Sequence, residues 1–432
     1  MATNTGLVFG LDIGTTKVCA VVGEYNKREQ LEITGVGLSL STGIKKGVIV
    51  NMEDTIQSIR KAVEATEMIV GQDLKAKYCW PGIGGNLVEG RNSRGVASVR
   101  HNKDKTIREV TQADIDRALT SAQTVAFPMD REILEVIPQS FILDGQKGIP
   151  DPLNMIGLRL EAEVHIITCS TTSKQNLKKC INEAGFLIND MILQSLAAGR
   201  AVLTPEEKDM GVVLIDLGGG TTDMLVYVEG APYLNASIPA GSALITSDIS
   251  KVMSIPLDAS EKIKVEAGCC WEDMLDSDED ILVPGVGGRP PSAIPRSEIL
   301  SVIRPRMEET LFMVKDKLDS ITKSKMEGGA EITLGAGVVL TGGGALLAGV
   351  AELASSIFRM PVRVGNPLHI PGLVGEYRSP LFSTAIGLLL LGGERSLPEK
   401  IQESRPRSRE KKSKSENSIF KQFYDWLSND FF

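Results

Sequence analysis

Two short stretches constrain this chain more than any other feature. Residues 214–223 read LIDLGGGTTD, an apolar run that stops at an aspartate and passes into three glycines, two threonines and a second aspartate. Residues 11–18 read LDIGTTKV, a near copy. Each places glycine directly after one strand-like run and follows it with another, the pattern of a hairpin. A phosphate needs backbone N–H donors at close approach, and a side chain at the turn would hold the backbone away, so glycine suits the position. No GxxxxGK[ST] occurs, so these are not Walker loops. Asp12 and Asp216 end their first strands, where a carboxylate holds a magnesium ion through waters. The turn N–H groups of Gly14, Gly218, Gly219 and Gly220 and the hydroxyls of Thr15, Thr16, Thr221 and Thr222 take phosphate oxygens. Lys17 belongs to the same set.

Either motif alone fits an ordinary tight turn, because Gly, Asp and Thr are common turn formers. Their conjunction says more. A third glycine turn, TGGGALL at 341–347 with Gly342, Gly343 and Gly344, opens a helix whose N-terminus suits an α-phosphate and the plane of a base. The device is doubled because each half of the chain supplies one jaw, and a polyphosphate is gripped from both sides.

The rest of the pattern agrees with two halves of like design. Residues 7–38 predict three strands, and Met52 to Val70 predicts a helix with Ile56, Ile59, Val63 and Ile69 on one face. Between 86 and 163 the texture changes to a separate small α/β unit, with Thr111 as N-cap of a short helix. The strand EVHIITCS then leads to a helix from Thr171 to Ala184, and VVLIDLGGGTTDMLVYVEG starts the second half. Residues 246–330 turn helical, and the acidic WEDMLDSDED (271–280) reads as a solvated loop.

At 432 residues, with 42% hydrophobic and 24% charged side chains, the chain builds a soluble core of more than one subdomain without staples. Its six cysteines form no CxxC pair, which fits a reduced compartment. No secretion signal is expected, and no apolar run, including that around Ala385 to Leu391, reaches the ~20 residues of a membrane span. A net charge of −8 argues against a general nucleic-acid binder.

The three glycine turns, in order, resemble the two phosphate loops and the adenosine loop of the actin, Hsp70 and sugar-kinase superfamily. Within it the chain is similar to the FtsA family of bacterial cell-division proteins over nearly all of residues 6–432. The most specific part is the inserted REILEVIPQSFILDGQKGIPDPLNMIGLRLEAEVHIIT, unlike anything in actin, Hsp70 or the kinases. The resemblance implies an α/β, actin-like fold of two related βββαβα domains around an ATP and Mg2+ cleft. Residues 1–85, 164–204 and 380–395 would form domain 1A, and 86–163 an inserted subdomain 1C. Residues 205–245 and 328–379 would form domain 2A, and 246–327 subdomain 2B. It further assigns Glu261 and Lys264 in SEKIKVEAG to ribose and purine, although by spacing alone such a pair equally suits a surface ion pair. In ILQSLAAGRAVL the superfamily's usual Glu-Pro is replaced by Gln194 and Ser195. A glutamine orients water but is a poor base, so slow hydrolysis or binding without turnover is expected, with Gln194, Asp12 and Asp216 nearest the chemistry. Glu135 stands where a histidine is usual.

The same resemblance implies filaments of the chain itself, later division proteins on the insert, and capture of the FtsZ C-terminal peptide by SEILSVIRPRMEETLFMVKDKL. Arg306 matches there, with Arg304 and Glu309 beside it. Residues 396–416 are Ser, Pro, Glu, Lys and Arg, a composition that buries no core. The closing NSIFKQFYDWLSNDFF (417–432) puts Ile419, Phe420, Phe423, Leu427 and Phe431 on one helical face with Trp426 at its edge. Behind basic residues at 405–414 this is an amphipathic anchor for an anionic membrane, by resemblance the inner face of the cytoplasmic membrane at the septum. The resemblance also leaves another actin-like cytoskeletal or pilus-assembly ATPase as an alternative. A sugar or acetate kinase would need an aspartate base beside a compact pocket, and an Hsp70 chaperone a large domain after residue 395, where about 37 residues remain.

Overall fold

The computed structural model describes residues 6–403, apart from Ala76 and the segments 100–106, 276–279, 284–289 and 327–331. The chain opens with an antiparallel meander, β1 (Leu7–Ile13), β2 (Lys17–Tyr25) and β3 (Leu31–Leu40). β1 and β2 are covered on both faces, so their sequences run apolar without alternation. One cover is α1 (Met52–Val70), which starts where the Asn51 side chain accepts the Asp54 N–H and ends at Gly71 with φ 69°. Ile69, expected on its buried face, is 55% exposed. At 3.6 residues per turn it lies roughly 140° round from Ile56, and Val70 packs against the core instead.

β4 (Tyr78–Ile83) joins parallel to β1. The chain then leaves for the insert: β5 (Val88–Ser98), α2 (Gln112–Ala122), β6 (Arg131–Leu143), β7 (Gln146–Ile149) and β8 (Arg159–Ser170). These make a four-stranded antiparallel sheet in the order β7-β6-β8-β5, with α2 packed on it and a core of its own that includes Ile115, Leu119, Phe141 and Leu160. Thr111 caps α2 as expected, through a capping box with Asp114. β8 begins at Arg159 and not at Glu163, so one unbroken strand starts in the insert and delivers the chain to α3 (Thr171–Ala184) in the first lobe.

After α4 (Gln194–Val202) and α5 (Pro205–Met210) the plan repeats. β9 (Val212–Leu217), β10 (Thr222–Val228) and β11 (Ala231–Ile238) form a second meander, followed by α6 (Ser242–Met253), α7 (Leu257–Ala267) and α8 (Arg296–Met326). β12 (Gly337–Thr341) pairs parallel with β9, and α9 (Val350–Phe358) and β13 (Val362–Val364) complete a five-stranded sheet ordered β11-β10-β9-β12-β13. Of the acidic run, Glu272–Met274 is a single 3-10 turn and Asp280 starts a short strand, while 276–279 lie outside the described residues.

The last helix, α10 (Ser383–Glu403), returns to the first lobe between α4 and β1. It fits by backbone contact, since a Cβ at Gly387 would stand 1.7 Å from the Ala197 carbonyl oxygen and one at Gly10 2.8 Å from the Leu389 nitrogen. Where a linker was expected from residue 396, the helix continues to Glu403; Glu, Lys and Gln have high helix propensity. The remainder of that segment and the expected anchor at 417–432 lie outside the described residues. Of the two large cores, one fills the first lobe and also takes Val212, Leu214, Leu225, Tyr227 and Val339 from one face of the second sheet, and the other covers that sheet's opposite face.

Candidate nucleotide cleft

The two glycine turns have the same bend. In the first, the Gly14 N–H donates to the Lys17 carbonyl at 2.9 Å; in the second, the Gly218 N–H donates to the Thr221 carbonyl at 3.0 Å. They face each other across the seam. A Cβ on Gly219 would fall 2.4 Å from Thr16 Cγ2, and one on Gly220 would fall 2.4 Å from Thr15 Oγ1. Behind them opens a cavity of about 330 Å3, the size of a small-ligand site.

The aspartates predicted to end the first strands both reach this cavity. Asp12 is 5% exposed and accepts from Lys17 Nζ at 2.9 Å and from Gln194 Nε2 at 2.9 Å. Burial works against the Lys17 ammonium, but Asp12 beside it prevails and its pKa lies above the usual lysine value. Asp216 accepts from Thr384 Oγ1 at 2.9 Å. Burial, then Asp223 and Asp12, push its pKa up to about 7 against the pull of Thr384 and Lys17. Asp223 is likewise raised by burial, opposed by the Thr221 hydroxyl and the Gly85 N–H.

Asp12 and Asp216 thus share the Lys17 ammonium, while Asp223 lies beside Asp216 with hydroxyl and amide partners only. Among the described residues no three His, Cys, Asp or Glu side chains converge as a direct metal site. A magnesium ion held through its waters by Asp12 and Asp216 fits the donor set, because the surplus buried negative charge is what a cation relieves. Room comes from missing side chains: Gly342, at φ 81° and ψ 171°, would carry a Cβ 2.1 Å from Asp216 Oδ1.

Gln194 starts α4 and packs against bare backbone, where a Cβ on Gly84 would overlap its Oε1 at 2.2 Å. The other end of the cavity is lined by Glu261, Lys264, Val265, Met307 and Leu346. Lys264 Nζ donates to Glu261 at 2.7 Å and to Thr246 Oγ1 at 2.9 Å, so the pair is both an intrahelical ion pair and a cavity wall. Gly343 and Gly344 line the floor. The helix expected to start at that third turn is one 3-10 turn, Gly343–Leu346; α9 begins only at Val350, after Gly349 breaks the direction at φ 80°.

Thr222 is a correction. It is fully buried and donates to the Ala240 carbonyl at 2.8 Å, away from the cleft. Asp223, missed from sequence, lines the cavity with Thr221, as strand alternation from 221 would have indicated. Thr384, Ser242 and Met307 line it too, and no local motif marks them. Arg304, Arg306 and Glu309 lie on α8, outside the cavity. Arg306 holds Asp248 at 2.6 Å and also Glu309, while Arg304 holds Glu272 and Glu308 and stacks over Trp271. Glu135 accepts from Arg395 of α10.

Paired βββαβα lobes with opposed phosphate-type hairpins at the seam define the actin-like ATPase fold. Solved structures agree: the PilM-PilN type IV pilus biogenesis complex has a chain matching with TM-score 0.62 at 15% identity, over 89% of this chain and 98% of that one. MreB5 of Spiroplasma citri bound to ADP matches with TM-score 0.53 at 16% identity, over 93% and 99%. Within that class the chain belongs to the FtsA family of cell-division proteins. The family model described as cell division protein FtsA matches residues 213–387, and that of the SHS2 domain inserted in FtsA matches 85–168, the insert. The FtsA of Borreliella burgdorferi is 41% identical over 99% of both chains, and that of Escherichia coli 34% identical over 100% of this chain and 99% of its own.

Proposed function

We propose that this protein binds ATP with Mg2+ between the two hairpins and assembles into filaments on the cytoplasmic face of the inner membrane, where it tethers the FtsZ ring and recruits later division proteins through the insert. The observation that carries the reading is the direct opposition of Thr15 and Thr16 to Gly220 and Gly219, with Asp12 and Asp216 behind them. A triphosphate entering between the turns meets N–H donors and hydroxyls from both lobes at once, so its binding closes the lobes on each other. The magnesium ion would supply charge neutralisation of the phosphate oxygens. Gln194, its amide already given to Asp12, positions water and accepts no proton, which supports slow turnover or none.

Arg306, with Arg304 and Glu309, is the face proposed for the FtsZ peptide. An acidic peptide there replaces Asp248 and Glu309 as partners of a guanidinium already oriented by them. Ile419, Phe420, Phe423, Trp426, Leu427 and Phe431 form the proposed membrane face. Among the described residues no helix is long and apolar enough to cross a membrane, which is compatible with a peripheral attachment through the tail.

Cosedimentation with anionic vesicles, with and without MgATP, tests the reading in three arms. The full chain should pellet with vesicles and form nucleotide-dependent filaments, Asp216→Ala should keep the vesicles and lose the nucleotide dependence, and a chain ending at Glu403 should lose the vesicles. Equal pelleting by all three would overturn it.

A further inference from the structure

The insert is rooted in the first lobe at both chain ends, yet its outer strand lies along the outer strand of the second lobe's sheet, β5 against β11. At the crossing, His165 of β8 is 1% exposed between two amides. Its Nδ1 lies 2.6 Å from Asn92 Oδ1 on β5, and its Nε2 lies 2.7 Å from Asn235 Oδ1 on β11. Gln139 of β6 crosses the same seam, donating from Nε2 to the Pro232 carbonyl at 2.9 Å and to Asn92 Oδ1 at 3.3 Å. Gly90 makes the room, for a Cβ there would stand 1.8 Å from Asn235 Oδ1 and 2.6 Å from the imidazole.

Burial pushes the His165 imidazole down to about 4, so the ring is neutral, donates from one nitrogen and accepts at the other. Both ring nitrogens face amide oxygens, Asn92 Oδ1 and Asn235 Oδ1, and a neutral ring donates to only one of them, so the other amide completes the set by presenting its NH2. Buried polar groups of this kind are costly to leave unmade.

Both ends of the clasp lead to elements that matter elsewhere. β11 is hydrogen-bonded to β10, with Thr222 opposite Ile238, so Asn235 stands on the strand that backs the second glycine turn. Gly85, at the root of the insert, is close enough for its N–H to favour the Asp223 carboxylate in the cleft. On the other side, Arg395 of α10 holds Glu135 of β6 to the first lobe. The insert therefore straddles the two lobes.

We propose that the Asn92–His165–Asn235 clasp couples the insert to the nucleotide cleft, so that closure of the lobes on ATP is transmitted to the insert's sheet. The second lobe cannot swing relative to the first without carrying the insert or opening these bonds. This rests on the nucleotide reading above, and the test separates the two. Hydrogen exchange of the full chain is measured with and without MgATP for the wild type, for Asn235→Ala, which leaves the insert's own Asn92, His165 and Gln139 intact, and for Gln139→Ala, a milder change should Asn235→Ala fail to fold. In the wild type MgATP should slow exchange in both glycine turns and shift it by at least about threefold across β5 and β8. In Asn235→Ala the turns should remain protected while the response of β5 and β8 is lost, and Gln139→Ala should weaken that response. Protection of the turns with a silent insert in the wild type, or a full insert response in the variant that folds, would overturn the coupling. Turns that MgATP leaves unprotected would overturn the nucleotide reading itself, and the coupling with it.

Discussion

Gly219→Ala gives the sharpest trial of the opposed turns. Gly219 is absent from the positive-φ residues, so alanine meets no backbone penalty there. Its methyl would stand 2.4 Å from Thr16 Cγ2 and 2.5 Å from Thr16 Oγ1, about 1 Å short of ordinary contact. The jaws must part by that amount or Thr16 must rotate out of the cleft. Either removes one or two charge-assisted bonds to a phosphate, each worth about 1.5–3 kcal/mol. A loss of about 2–3 kcal/mol is a 30- to 150-fold weaker Kd, roughly. Unfolding of the nucleotide-free protein should move by less than about 1 kcal/mol, because the clash is with one side chain at a surface of the cleft. Titration of a fluorescent ATP analogue, followed by anisotropy, reads the affinity, and urea unfolding reads the control. Thr16→Gly in the same chain restores the space, so a double-mutant cycle should show recovery beyond additivity. An affinity within about threefold of wild type for Gly219→Ala, or a strictly additive double variant, refutes the clamp.

Other outcomes follow from the same geometry. Gln194→Ala should reduce phosphate release in single-turnover assays by about tenfold or more with nucleotide affinity nearly unchanged, if the amide that contacts Asp12 has the proposed role of orienting water. Gly387→Ala should lower the urea midpoint by the equivalent of about 1–3 kcal/mol, since α10 must lift off the Ala197 carbonyl. His165 has a folded pKa depressed to about 4 against about 6.5 unfolded, so its contribution is complete above pH 6.5 and is lost as pH falls toward 4. Between pH 7 and pH 5 the wild type should lose about 2 kcal/mol more than His165→Gln in urea unfolding. Arg306→Glu should weaken binding of an acidic C-terminal FtsZ peptide in a fluorescence titration, and Asp248→Asn, which removes one of the two carboxylates holding the guanidinium, should not.

Legibility in the sequence tracked how local each cause was. Both hairpins were readable because glycine after a strand, followed by threonines, states its own backbone geometry. The helices Met52–Val70 and Thr171–Ala184 came out at their observed ends, where Asn51, Gly71, Ser170 and Gly185 act within one turn. Thr222 was misplaced because two adjacent threonines look alike until the strand's two-residue period sorts them, and the same period would have admitted Asp223. Thr384 was out of reach, lying at the start of α10, 168 residues along the chain from the Asp216 it meets in the cleft. The clasp at His165 was equally hidden, since Asn92, His165 and Asn235 are joined by a crossing of two sheet edges that no spacing encodes.

α10 spans 21 residues, about 30 Å of continuous helix. Its first turn touches the cleft aspartate through Thr384, its middle is seated on Ala197 and Trp80 where glycines permit no play, and Arg395 grips the insert. Between Thr384 and Arg395 a rod so bedded neither bends nor slides freely. A pull delivered at Arg395 would therefore arrive, along one stiff axis, at the carboxylate that stands behind the second glycine turn.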